Sequence, residues 1–403
     1  MTATNVTLIV ASLILAGALF QPRLLKAELW QATVTPLASI IGSGFLVAGP
    51  ILAHASGNAA WAAMLGLCAV GYLFGAAIRH NIRYVEPHLA HDATKLEAGL
   101  ERASELTLSL AYFVSVAYYL NLFAAFGLRV GDIVNPVWIK IAASVVIAVV
   151  GTVGLRGGLD ALERLEVGAV ALKLSLIGGL FVALGFAAFM AVRGGTYGWA
   201  HEPHPHGFDE ARILLGLVIL VQGFETSRYL GAAYDADTRI KTMKWAQWIA
   251  TGVYLTFMLL ITPYFRDGLP AEGGETAIID MLKPIGTAVG PLIILTALAS
   301  QLSAAVADMN GAGGLLAEAS GRRLKVRLGN LITAVAAIGV TWSGDIYEII
   351  TYASKAFVAY YALQCLQATV SAVKLRRPWT AGLSAFGLVL AVIVIVFAVP
   401  AEA

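Results

Sequence analysis

Pro36-Leu-Ala-Ser-Ile-Ile41-Gly42-Ser43-Gly44-Phe45-Leu-Val-Ala-Gly49-Pro50 lies in an apolar run, residues 34–53, of the length that crosses a bilayer. Gly42 and Gly44 flank Ser43 near its middle. A glycine costs about 1 kcal/mol against alanine in a helix interior, so the pair predicts local unwinding. Unwound backbone survives at membrane depth only where it is buried in protein or lines a cavity. A second run, residues 211–233, repeats the device: Leu217-Val-Ile-Leu-Val-Gln222-Gly223-Phe224-Glu225-Thr226-Ser227-Arg228. Residues Ile41 to Phe45 and Gln222 to Glu225 are therefore expected to be non-helical and to face each other across a cavity. Buried ionisable groups face a bundle interior, and their i, i+3 spacing lets Glu225 and Arg228 meet as an internal ion pair.

The rest of the chain supplies the bundle. Of 403 residues, 59% are hydrophobic and 13% charged, with mean hydropathy +0.78; a soluble domain carries about 25% charged residues. Twelve apolar segments emerge. A leader helix spans 4–20, and eleven core helices, numbered 1 to 11, span 34–53, 58–79, 105–128, 137–155, 165–192, 211–233, 244–264, 286–309, 328–343, 347–373 and 380–399. No basic residue precedes the leader, which reads as a retained helix rather than a secretory signal. Cys68 and Cys365 sit in apolar runs without metal-ligand spacing and read as small buried hydrophobes. A net charge of +2 gives no footprint for nucleic acid.

Basic residues alternate between loops. One set of loops holds Arg23 and Lys26; Arg79, Arg83, Lys95 and Arg102; Arg156 and Arg164; Arg239, Lys241 and Lys244; Arg322, Arg323, Lys325 and Arg327; Lys374, Arg376 and Arg377. The other holds only Arg129, Lys140, Arg193, Arg212, Arg266 and Lys283. By the positive-inside rule the first set is cytoplasmic, so both termini are expected outside. The loop after residue 193 carries His201, His204 and His206, whose imidazoles lack a carboxylate or thiolate partner and read as a solvated loop. No metal or cofactor is expected, nor any phosphate loop or catalytic triad.

Helices 1 and 6 each open a group of five. Five is odd, so the second group enters from the opposite side, as in an inverted repeat with broken helices at the midplane. The expected units are a leader over 1–22, a first repeat over 30–192, a second over 208–375 and a C-terminal helix over 378–403. Amides freed at the helix 1 break suit an anionic group; freed carbonyls suit an ammonium group. At these residues the chain resembles the amino acid–polyamine–organocation superfamily, with its leucine-transporter-type fold. Ile41-Gly-Ser-Gly-Phe-Leu-Val followed by Gly49-Pro50 is similar to that family's helix 1 signature. Gly223-Phe-Glu225 and the charged loop Tyr234-Asp-Ala-Asp-Thr-Arg239-Ile resemble its helix 6 and the following junction, although the usual proline is absent.

The two breaks, and the resemblance with them, imply a substrate site at Ile41, Gly42, Ser43, Gly44, Gln222, Gly223, Phe224 and Glu225; Tyr118 and Tyr119 on helix 3 are candidate walls, with core packing as the alternative. Glu225, directly at the break, is expected to act in the transport cycle. Helix 5 bears Lys173, roughly 12 Å into the membrane at 1.5 Å per residue. In family members that do not use sodium, a helix 5 lysine places its ammonium between helices 1 and 8, where sodium-coupled members bind the ion; Lys173 matches that position. Burial lets a lysine titrate near neutrality, so the proton is the expected coupling ion, with Ser300 and Ser303 as hydroxyl partners. Lys355 on helix 10 would pair with a carboxylate or a solute anion. Asp308, near the expected inner end of helix 8, would sit at the interface. The combined reading is a secondary transporter of a small organic solute, an amino acid or related amine, by symport or exchange. Its partners are that solute and the lipid bilayer, with the oligomeric state left open. The rivals are a sodium-coupled or inorganic-ion transporter of the same fold, and a non-transporting membrane sensor.

Overall fold

The computed structural model describes residues 3–42, 44–91, 93–156, 166–198, 207–265 and 274–401. Among them there is no strand, and each apolar segment is helical. The leader is Ala3–Leu19. Helix 1 is split into halves, 1a at Glu28–Gly42 and 1b at Phe45–Ser56. Then come helix 2 at Ala60–His80, helix 3 at Lys95–Leu128, helix 4 at Pro136–Leu155 and helix 5 at Glu166–Arg193. Helix 6 is in pieces, Phe208–Leu215, Val218–Val221 and Phe224–Leu230. Helices 7 to 11 are Ala236–Ile261, Val289–Ala319, Val326–Ser343, Ile346–Lys374 and Pro378–Phe397. Nine helical stretches among the described residues are long and apolar enough to cross a bilayer. The remaining apolar segments are the 17-residue leader, half-helix 1a and the pieces of helix 6.

Helix starts follow capping chemistry. Thr94 and Glu97 bond each other's backbone amide at the head of helix 3, as Asp345 and Glu348 do at helix 10. Asn135 caps helix 4 ahead of Pro136. Asp235 accepts the Thr238 amide at 2.7 Å, which holds its carboxylate below the usual range.

The packing is two-fold in pattern. Helix 3 lies on helix 8 and helix 4 on helix 9. Helix 1a meets helix 7 as helix 6 meets helix 2; helix 3 meets helix 10 as helix 8 meets helix 5. Helix 5 touches 1a as helix 10 touches helix 6, and helix 2 touches helix 10 as helix 7 touches helix 5. Exchanging helices 1–5 for 6–10 therefore carries one set of contacts onto the other, as an all-α 5+5 repeat requires. The flanking helices obey the same exchange: the leader packs on helix 5, and helix 11 on helix 10. Small residues let the leader approach. A Cβ on Gly179 would lie 1.9 Å from Ser12 Oγ and 2.9 Å from the Leu8 carbonyl. Asn5 ties the leader's N-terminal end to the start of helix 8, donating to Thr287 Oγ1 at 2.9 Å and accepting from the Ala288 amide at 3.2 Å.

Both breaks are narrower than the glycine pattern suggests. Ile41 and Gly42 complete the last turn of 1a, and Phe45 already starts 1b. Past Gln222 and Gly223, residues Phe224–Leu230 wind as a tight 3-10 turn. The bilayer accounts for this, because every backbone group kept in a helix is one that needs no other partner. Gly223 has φ 117°, a left-handed conformation, and a Cβ there would lie 2.6 Å from the Ile40 amide nitrogen and from Ser39 Oγ. Glycine is thus needed twice over, for conformation and for contact. The Tyr254 hydroxyl of helix 7 lies 2.9 Å from the Ile40 carbonyl and 2.5 Å from that of Leu220, joining the two interrupted helices.

Two outcomes follow for stability. Tyr254→Phe removes the shared donor, and leaving buried acceptors unmatched costs about 1–3 kcal/mol; thermal unfolding in detergent should shift down. An unchanged midpoint would mean that the carbonyls find other donors. Gly179→Leu should lower the midpoint as well, whereas Gly185→Leu on the same helix, where a Cβ meets nothing within 4 Å, should not. Equal effects would show that the leader does not depend on this close approach.

Candidate functional site

The two breaks meet. A Cβ on Gly44 would fall 2.1 Å from Leu220 Cδ2 of helix 6 and 3.1 Å from the Tyr118 hydroxyl of helix 3, and one on Gly42 would fall 3.0 Å from Ala304 Cβ of helix 8. Ser43 lies outside the described residues. Gln222, fully buried, donates from Nε2 to the Tyr119 hydroxyl at 2.7 Å, while its Oε1 has no partner. The Tyr118 hydroxyl and Ser39 Oγ, also buried, likewise have none. Phe224 stacks on Tyr361 of helix 10 with centroids 5.1 Å apart, and Tyr361 stacks on Phe74 at 5.0 Å.

Glu225 is fully buried. Its Oε2 accepts the Gly223 amide at 2.9 Å and the Tyr361 hydroxyl at 2.7 Å, so the carboxyl group closes the break in its own helix; Oε1 has no partner. Arg228 does not pair with it. Arg228 Nη2 reaches both oxygens of Glu101 on helix 3 at 2.9 Å, Nε lies 3.5 Å from Glu86, and Nη1 donates to Gln364 Oε1. Arg239 joins the cluster, 2.7 Å from Glu86 and donating to the Arg228 carbonyl at 2.6 Å. The i, i+3 argument considers only one helix. Here the neighbouring helices offer Arg228 two carboxylates, both nearer the solvent than Glu225.

Lys173 is 2% exposed. Its ammonium donates to the Ala38 carbonyl of helix 1a at 3.0 Å and to Ser300 Oγ of helix 8 at 3.2 Å. Ser303 is only half-buried, and the described hydrogen bonds of Lys173 do not include it. Lys355 is half-buried with no acidic partner among the described residues. Asp308 is not at the interface. Helix 8 continues to Ala319, so Asp308 lies 1% exposed inside the bundle and accepts from Ser115 Oγ of helix 3. Glycine lets this extension pack closely: a Cβ on Gly313 would fall 2.0 Å from Asn330 Oδ1 of helix 9.

A cavity of about 370 Å³ lies below this centre, lined by Thr35, Tyr112, Thr226, Tyr229, Asn310 and Glu318 among others. It occupies the end of helix 8 that leads to Arg322 and Arg323. The histidine loop at 201–206 lies outside the described residues, and among those described no group of three His, Cys, Asp or Glu is placed to hold a metal. Sequence reasoning missed Tyr254, Tyr361, Ser115 and the Glu86–Glu101–Arg239 cluster. The tyrosines lie in largely apolar runs, where packing is the ordinary reading, and the carboxylates lie outside the expected membrane segments.

A family model of APC superfamily transporters matches residues 22–399. A relative in Aquifex aeolicus (strain VF5), described as an uncharacterized protein, is 41% identical over 349 residues, covering 86% of this chain and 84% of that one. Two solved structures are similar at low identity. One is Mhp1, a nucleobase-cation-symport-1 family transporter in a closed conformation with bromovinylhydantoin bound (TM-score 0.49, 12% identity, 90% of each chain). The other is a Na+-coupled sialic acid symporter in a substrate-bound outward-open state (TM-score 0.44, 13% identity, 100% of this chain and 99% of that one). At that level neither ligand carries over to this chain. The match over nearly the whole sequence, falling on a membrane bundle with two facing helix breaks, places the chain in the APC superfamily of transporters.

Proposed function

We propose that this transporter moves a small organic solute, an amino acid or related amine, by proton-linked symport or exchange. The solute is held between the breaks of helices 1 and 6. The observation that supports this is the set of buried polar atoms converging there without partners: Tyr118 Oη, Ser39 Oγ, Gln222 Oε1 and Glu225 Oε1. Buried groups of this kind cost free energy unless something arrives to bond them. The cavity that runs from Thr226 to Glu318 supports a state open on the side of Arg322 and Arg323, the cytoplasmic side on this reading. Rocking one repeat against the other (30–192 against 208–375, flanked by 1–22 and 378–403) then gives alternating access. On this reading the chain crosses twelve times with both termini outside.

Lys173 supplies the coupling. Charged, it ties helix 5 to helix 1a at Ala38 and to helix 8 at Ser300; neutral, it can no longer satisfy both acceptors with charge-assisted bonds. A proton bound there shifts the conformational equilibrium by its differential affinity for the two states.

Tyr118→Phe tests the solute site. It deletes a polar atom that has no protein partner, so thermal stability should hold or rise, while solute binding weakens about tenfold, ~1.4 kcal/mol. Loss of stability with unchanged uptake would exclude the hydroxyl from the site. Lys173→Ala tests coupling. With sodium replaced by choline, proteoliposome uptake should lose its pH dependence but retain part of solute exchange. Uptake that requires sodium, or that keeps its pH profile in the variant, would reduce Lys173 to a structural charge.

A further inference from the structure

Two carboxyl groups lie inside the bundle, and no arginine or lysine is bonded to either among the described residues. Asp308 Oδ2 is taken by Ser115 and Glu225 Oε2 by Gly223 and Tyr361, and the second oxygen of each has no partner. The nearest candidates for counter-charge are committed elsewhere: Arg228 to Glu101 and Glu86, Lys173 to Ala38 and Ser300. Tyr112 of helix 3 and Tyr361 of helix 10 pack their rings on Phe357, and Tyr361 bonds Glu225 directly. The other titratable groups that face the two carboxyls are phenols, Tyr112 and Tyr119 from helix 3 and Tyr360 and Tyr361 from helix 10. Phenols are neutral at physiological pH, so none supplies a positive charge.

We propose that Asp308 and Glu225 are a proton-carrying carboxyl pair, a titrating centre separate from Lys173 and fed from the inner cavity. An ionised carboxylate buried without a cation costs several kcal/mol, and a proton on each free oxygen removes that cost. The route to water is short. Ala307 and Gly311, on either side of Asp308 along helix 8, line the cavity, as does Thr226, the residue after Glu225. Tyr112 lines it between them, and Glu318 stands exposed at its mouth. Release is plain acid dissociation: the carboxyl O–H bond breaks, the proton passes to cavity water as hydronium, and the electron pair stays on the carboxylate. The proposal deepens the proton-linked reading by assigning protons to a pair of carboxyls that Lys173 does not touch.

Infrared spectra of the full chain in lipid vesicles, recorded from neutral to alkaline pH, read the carboxyl carbonyl band directly and need no solute. The wild type should show a protonated-carboxyl band at neutral pH that fades on alkalisation. It should weaken in Asp308→Asn, weaken in Glu225→Gln, and persist in Lys173→Met. Ser115→Ala keeps both carboxyls but removes the hydrogen bond that favours the ionised form of Asp308, so its band should persist to higher pH. A band as strong in Asp308→Asn as in the wild type, or a Ser115→Ala profile that does not move, would overturn the proposal. Should that happen while Lys173→Ala still abolishes the pH dependence of uptake, the Lys173 coupling would stand without the carboxyl pair.

Discussion

The Tyr254 hydroxyl sits between two carbonyl oxygens, Ile40 at 2.9 Å and Leu220 at 2.5 Å, each at the frayed end of a helix. In water such oxygens would find solvent; in a bilayer they must find protein. That requirement organises the centre of the molecule. Helix 7 is drawn against 1a because it carries the donor. Gly223 presses on Ser39 and the Ile40 amide because only a bare backbone fits there. The Glu225 carboxyl folds back on the Gly223 amide to finish what the helix cannot. The backbone groups at this point are thus drawn to partners across the bundle, while several buried side-chain atoms nearby have none.

Charge is partitioned along helix 6. Arg228, past the break, joins Glu101, Glu86 and Arg239 in a cluster where each cation meets a carboxylate. Glu225, only three residues earlier, meets none. Removing one member of a buried charge cluster costs about 3–5 kcal/mol because it strands the rest, so the C-terminal end of helix 6 is held to helix 3, to helix 7 and to the segment after helix 2 by a network that yields as a unit. The upper part is held by a phenol, an amide and aromatic stacking, which exchange partners at smaller cost.

The membrane bundle, the two interrupted helices and the lysine of helix 5 were legible because charge is rare at membrane depth and because the glycines of the two breaks stand beside polar side chains, Ser43 in one and Gln222 and Glu225 in the other. Three things were not. The pairing of Arg228 depended on carboxylates far along the chain. The depth of Asp308 depended on helix 8 running on through Gly311 and Gly313, which pack against Tyr112 and Asn330. Tyr254 and Tyr361 resemble packing residues until their hydroxyls are located. In each case the missing information lay across the bundle, where periodicity along one helix does not reach.

The leader and helix 11 are matched in space though they lie at opposite ends of the chain, one braced on helix 5 and the other on helix 10. Their outer faces are apolar and bare: Leu13 and Ile14 on the leader, Phe386 and Val396 on helix 11. Helices 5 and 10 therefore meet the hydrocarbon partly through an intermediary. A change in acyl-chain length or lateral pressure acts on these two struts as well as on the repeats, and each strut leans on a different repeat. The lipid composition of the membrane is in that sense a mechanical setting of the protein, balanced across its axis by the placement of two helices that touch neither break.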